Sequence, residues 1–249
     1  MELSRLTSRD VAQLDRDIPV IVPVAAVEQH AAHLPLATDS LLLGEVLKRA
    51  RQRSEIRALY LPLMWLGNSH HHLDFQGTLS AESRTWIDLL SGTIDNLLFH
   101  GFRRIMVVNG HGGNNVPVSQ CLFEKRQQTR ERTNLLFLNS SYWMLGERPD
   151  NGLQWAQSEM GHACEWETSM MLCLDSELVG EFSNLPDISM NSSFPPAERS
   201  WVTQERSPDG YIGMPRRATH EKGEALFECF SRGLDDLIRR MHDWDGSSW

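Results

Sequence analysis

The amino-acid sequence predicts an α/β fold: a three-layer α/β/α domain around a mostly parallel central sheet. Three observations predict it. Short apolar runs recur at residues 19–26, 58–64, 104–108 and 135–138, the continuous kind that a strand buried on both faces requires. Stretches with leucines and other apolar residues at helical spacing separate these runs. The residues with unusual chemistry gather in loops that directly follow strands, where α/β sheets place their sites.

The elements follow in order. The run 19–26, Pro-Val-Ile-Val-Pro-Val-Ala-Ala, is the first strand, and Asp39-Ser40 can cap a helix over 41–51. Residues 58–64 form the second strand, leading into a loop over 65–78. Ser80 or Glu82 opens a long amphipathic helix reaching about His100. The third strand, 104–108, runs into the glycine-rich turn 109–115, then a helix to about Arg132 and a fourth strand over 135–138. A further helix is expected over 161–174, an irregular Pro-, Asn- and Ser-rich loop over 181–200, and a terminal helix over 219–242. No repeat or linker divides the chain, so residues 1–249 are expected to form a single domain.

Composition excludes several classes. With 41% hydrophobic and 23% charged residues, the chain is neither disordered nor fibrous. A formal net charge of −9 argues against nucleic acid or an anionic membrane as the main partner. No apolar run reaches the roughly 18 residues a membrane span needs, and the polar start MELSRLTSRD is unlike a signal peptide. Four scattered cysteines without a CxxC pair suit a reducing cytoplasm better than a disulfide framework or zinc finger.

Three segments carry the chemistry. The first, residues 28–39 (EQHAAHLPLATD), brings Glu28, His30, His33 and Asp39 together just after a buried strand. Carboxylate and imidazole are the donors that zinc, manganese or iron accept, and in extended chain Glu28 and His30 point to the same side. The bland reading is a polar loop with a capping Asp39. The second, 107–115 (VVNGHGGNN), exposes His111 among Gly110, Gly112 and Gly113. A glycine turn could also cradle phosphate, but neither GxGxxG nor GxxxxGK[ST] spacing is present. The third, 162–169 (HACEWETS), places His162 and Glu165 three apart, on one face if the segment is helical; Glu167 then points elsewhere, in an orienting role. The rival reading is a charge-laced first helical turn. Ser69 and His72, in the loop after the second strand, are candidates for touching substrate.

Together these segments resemble the creatininase (creatinine amidohydrolase) family. EQHxxHLPLxTD, NGHGGN and HAxExETS stand at 28–39, 109–114 and 162–169, with FQGTLS at 75–80 and GYIGMP at 210–215 as further matches. The likeness spans about residues 18 to 240 and is strongest to HGGN-type members, the branch of mycofactocin-system peptidases and a formamidopyrimidine deformylase. It implies an α/β/α amidohydrolase with two divalent ions (zinc, manganese or iron) per subunit, commonly assembled as a homohexamer. Glu28 and His111 would hold one ion, His30 the other, and Asp39 would bridge. Creatinine-hydrolysing members carry HYEN, whose glutamate ligates the second ion, where Gly113 stands here; Glu165 is inferred to supply the missing ligand. His162 would contact substrate and carry a proton, with Glu165 assisting. Gly112 and Gly113 would offer backbone to the substrate. Ala31, in place of the family glycine, and Ser158-Glu159, in place of an aromatic–acidic pair, depart from the creatinine-hydrolysing pattern.

The expected function is therefore hydrolysis of a small amide C–N bond by water activated between two metals. The alternatives are a dimetal peptidase, a dimetal phosphoesterase, or a catalytically silent metal-binding scaffold. The basic side chains a phosphoesterase would want are absent from the three motifs, histidines aside.

Overall fold

The computed structural model describes residues 1–149, 152–191 and 193–248. A short helix α1 (Ser8–Ala12) precedes the alternating unit β1 (Pro19–Val24), α2 (Thr38–Arg53), β2 (Leu59–Tyr60), α3 (Ser83–Phe99), β3 (Arg104–Asn109), α4 (Asn115–Gln128) and β4 (Leu136–Ser141). Then come α5 (Glu165–Asp175), the single-turn α6 (Thr203–Arg206) and the long α7 (His220–Asp243).

The four strands form one parallel sheet in the order β2-β1-β3-β4. Period-2 alternation splits its residues between two cores. Val20, Val22 and Val24 of β1 and Ile105 and Val107 of β3 pack with Trp86, Leu90 and Ile94 of α3 and with Val118 and Cys121 of α4. Ile21 of β1 and Met106 and Val108 of β3 face the opposite layer, where Leu42, Leu43 and Val46 of α2, Met170 of α5, and Phe227 and Phe230 of α7 meet them. This is the expected three-layer α/β/α architecture. No helix among the described residues is long and apolar enough to cross a membrane.

The topology fixes where a site can form. From β1 the chain passes through α2 to β2 on one side, then through α3 back across to β3 on the other. The connections therefore diverge at the carboxyl ends of β1 and β3, which leaves a crevice there.

Several boundaries differ from the sequence expectation, each for a physical reason. The second strand shrinks to Leu59–Tyr60 because Pro62 has no N–H for the ladder, although Met64 N–H still donates to Pro23 O at 3.0 Å. Helix α2 begins at Thr38, so Asp39 lies inside the first turn instead of capping it. Helix α5 begins at Glu165, not Gly161: Ala163 adopts φ +46, and His162 exchanges backbone hydrogen bonds with Ile212 in a strand-like bridge.

Candidate active site

The loop leaving β1 turns at Ala31 (φ +56), a left-handed conformation that suits glycine; the Ala31 N–H is held by Gln29 Oε1 at 2.9 Å. This turn carries Glu28 and His30 into the crevice. Asp39 reaches it from the first turn of α2, His111 from the end of β3, and His162 and Glu167 from the start of α5. All are buried except His162, whose side chain keeps 13% exposure.

Asp39 lies between two imidazoles: Oδ1 is 3.1 Å from His30 Nε2 and Oδ2 is 3.0 Å from His111 Nδ1. Glu28 Oε2 is 3.3 Å from the same His111 nitrogen, and Glu167 Oε1 is 3.8 Å from His30 Nε2. Ligand atoms of Glu28, His30 and Asp39, and of His30, His162 and Glu167, lie close enough within each trio to share an ion.

Hydrogen bonding assigns the ring protons. A carbonyl only accepts, so His30 Nδ1 donates to Glu28 O (3.2 Å) and His111 Nε2 donates to Asn68 O (3.1 Å). The lone pairs on His30 Nε2 and His111 Nδ1 then face carboxylate oxygens, a repulsive arrangement unless a proton or cation lies between them. Backbone-anchored imidazoles of this kind are typical of metal-ligating histidines. Likewise His162 Nε2 donates to Gln29 O (2.9 Å), which leaves Nδ1 toward Glu28 and the cavity. Gln29 Nε2 bonds His72 Nδ1 (2.8 Å) and Gly210 O (2.8 Å), and His72 Nε2 then faces Glu28 Oε1 at 3.3 Å.

The same geometry divides the histidines electrostatically. Burial alone would depress them all; Asp39 and Glu167 overcome it at His30, raising its pKa well above the usual value, and Glu28 and Asp39 raise His111 to about 10. At the other rings burial and neighbouring imidazoles prevail, pushing His162 well down, His71 to about 4 and His72 to about 2. Burial raises the Glu28 carboxyl, whereas at Asp39 burial is outweighed by His30 and His111, which hold it below the usual carboxylate range.

The donor set fits divalent cations. Glu28 Oε2, His30 Nε2, Asp39 Oδ2 and Glu167 Oε2 are all buried and all lack a hydrogen-bond partner. Unpartnered buried polar atoms are costly, and bound cations would offset that cost for four that converge on one crevice.

One predicted ligand lies elsewhere. The Glu165 carboxylate turns from the crevice to Lys222 Nζ (2.5 Å) and accepts from the N–H groups of Ala156 (3.0 Å) and Gln157 (2.7 Å). Glu167 occupies the position expected of it. The three-residue spacing from His162 to Glu165 misleads because the helix has not begun at His162. The available signal was an additional acid, Glu167, in the same first turn. Ser69 is also set back: buried, it meets His111 Nε2 through Oγ (3.1 Å) and supports that imidazole from behind. His72, Gly112, Gly113 and His162 do line the cavity, which measures about 950 Å³ and opens from Glu28 and Asp39 to Met190, residues 198–201 and Arg206. His33, buried, contacts Thr168 Oγ1 at 3.0 Å.

A parallel α/β sheet with buried carboxylates and imidazoles converging at its switch point defines a metal-dependent hydrolase. The model for the family described as creatinine amidohydrolase matches residues 4–238. The chain belongs to the creatininase family, whose members and structural neighbours are metal-dependent amidohydrolases. It is 30% identical over 241 residues to the creatinine amidohydrolase of Pseudomonas putida, covering 90% of this chain and 89% of that one. It is also 30% identical over 250 residues to the mycofactocin precursor peptide peptidase of Mycolicibacterium smegmatis, covering 96% and 90%. Among solved structures, a mutant creatininase of zinc–zinc type superposes with TM-score 0.81 at 26% identity, covering 98% of both chains.

Proposed function

We propose that this chain hydrolyses a small amide C–N bond with the help of two divalent ions, zinc, manganese or iron. Glu28, Asp39 and His111 would hold one and His30, Asp39 and Glu167 the other, with Asp39 shared. The observation that carries this reading is the set of four unpartnered buried atoms on Glu28, His30, Asp39 and Glu167. Relatives described as zinc–zinc and manganese creatininases support the choice of metals.

Such an ion pair, when bound, supplies water of lowered pKa and polarises the substrate carbonyl. The protein does the rest. His162, stacked on His72 (4.3 Å), tilted against His30 (4.4 Å) and partly open to the cavity, is placed to carry the proton to the leaving nitrogen. Gln29 fixes its ring through the backbone carbonyl and orients His72 through its side chain. Gly112 and Gly113 present backbone to the cavity wall, where a developing oxyanion can be met. We further infer a homo-oligomer, hexameric by family resemblance. Exposed apolar side chains on α3 and α4 (Leu89, Val116 and Phe123) support it. Four free thiols support a reducing, cytoplasmic setting.

The test is metal reconstitution. Protein stripped with chelator should hydrolyse none of a panel of cyclic amides, formamides and short peptides, creatinine included, and should regain turnover on loading with zinc, manganese or iron. The variant Asp39→Ala should fail to retain either ion by elemental analysis. Undiminished turnover by metal-free protein overturns the reading.

A further inference from the structure

The outer half of the cavity carries arginines, whereas the motifs at its base hold no basic side chain other than histidine. Arg199 and Arg206 line it. Arg206, on α6, is partly buried, and burial alone lowers its pKa, with no carboxylate to offset the effect. Its Nη2 donates to Met190 O (2.6 Å) and its guanidinium lies over Trp201 (5.3 Å), which fixes the group in place and leaves further N–H donors unassigned. The outer carboxylates of the cavity, Glu159 and Glu198, are exposed and form no ion pair with either arginine. Elsewhere, partly buried arginines such as Arg49 and Arg104 do face acids.

Arg206 is coupled to the reacting end of the cavity. Its ring partner Trp201 meets His71 edge-on at 5.3 Å, and His71 stacks on His111 at 5.8 Å. The guanidinium thus stands two aromatic rings out from a histidine that faces Glu28 and Asp39. Helix α6 is tied to the same centre through Thr203, whose hydroxyl meets His72 Nδ1 at 2.7 Å. A fixed, carboxylate-free guanidinium at the open end of a cavity is suited to bidentate recognition of an oxyanion.

We propose that Arg206 is a specificity-determining residue, and that the amide substrate is an extended molecule bearing an oxyanion, carboxylate or phosphate, about two ring widths from the scissile bond. The proposal rests on the amidohydrolase reading above for the identity of the scissile bond, but recognition of the anion can be measured without turnover.

Hippurate, its neutral counterpart hippuramide, and phenyl phosphate serve as probes, titrated calorimetrically into metal-free and metal-loaded protein. Wild-type protein should bind an anionic probe about ten-fold or more tighter than hippuramide. In metal-free protein, where no ion competes for the anion, Arg206→Ala should bring that ratio close to one, and Arg206→Lys should keep part of it. Melting curves establish that the variants are folded. Tighter binding of phenyl phosphate than of hippurate identifies a phosphate-bearing substrate, and the reverse identifies a carboxylate. A wild-type protein that does not discriminate, or a preference that survives in folded, metal-free Arg206→Ala, overturns the proposal. Loss of discrimination in metal-free protein leaves hydrolysis untouched as a separate measurement, so failure here and failure of the amidohydrolase reading are told apart.

Discussion

Glu165 and Glu167 are both acids in the first turn of α5, yet they do opposite things. At about 100° per residue, two positions along a helix lie roughly 200° apart around its axis, so the two carboxylates cannot share one site. Glu167 faces His30. Glu165 meets Lys222, itself only 5% exposed, and the backbone of Ala156 and Gln157. Glu165→Gln should therefore retain both ions but lower stability by about 3 kcal/mol, because a buried ammonium is left without its counter-charge. Glu167→Gln should hold only one ion per chain, with a smaller stability change. Chemical denaturation and elemental analysis of both variants check this; loss of an ion from Glu165→Gln at native stability would reverse the assignment. The residue identities of the site were legible because Glu28, His30, Asp39 and His111 sit in dense local motifs. The choice between Glu165 and Glu167 was not, since it depends on the left-handed backbone of Ala163 and on the long-range pairing of His162 with Ile212.

Among the elements, the turn from β3 into α4 is tightly constrained at the site. A Cβ on Gly113 would come within 2.2 Å of Asn68 O and 2.4 Å of His111 Nε2, the very pair whose hydrogen bond sets the His111 tautomer. A Cβ on Gly112, next in the same turn, would meet nothing within 4 Å. Gly113→Ala should then cost about 1–3 kcal/mol of stability and weaken metal binding at least ten-fold, while Gly112→Ala should leave both near wild type. Thermal melts and competition with a fluorescent chelator would check the contrast; equal behaviour of the two variants would refute it. This contrast also shows which elements a sequence discloses. The runs that became β1 and β3 were readable because strands buried on both faces must be apolar throughout. Helix α6 escaped notice because one turn carries no periodicity, and it is held by contacts such as Thr203 to His72 that link residues far apart in the chain.

At the scale of the whole molecule, the candidate centre joins elements from both sides of the sheet's switch point: the loop after β1, the first turn of α2, the end of β3 and the start of α5. Three buried carboxylates, Glu28, Asp39 and Glu167, meet there, so the cluster is a liability to the empty fold and an asset to the loaded one. An ion that binds only the folded chain raises stability by RT ln(1 + [L]/Kd), about 2.7 kcal/mol at one hundred times Kd. In a chain of this size each kcal/mol moves the melting temperature by roughly 2–4 °C, so saturating zinc or manganese should raise it by about 5–10 °C over chelated protein. In Asp39→Ala, which removes the carboxylate shared between His30 and His111, most of that increment should vanish. Calorimetric scans at rising metal concentration read the effect directly. A melting temperature indifferent to metal in the wild type would mean that these side chains do not act together as a binding centre, and an increment that persists in Asp39→Ala would place the ions elsewhere in the fold.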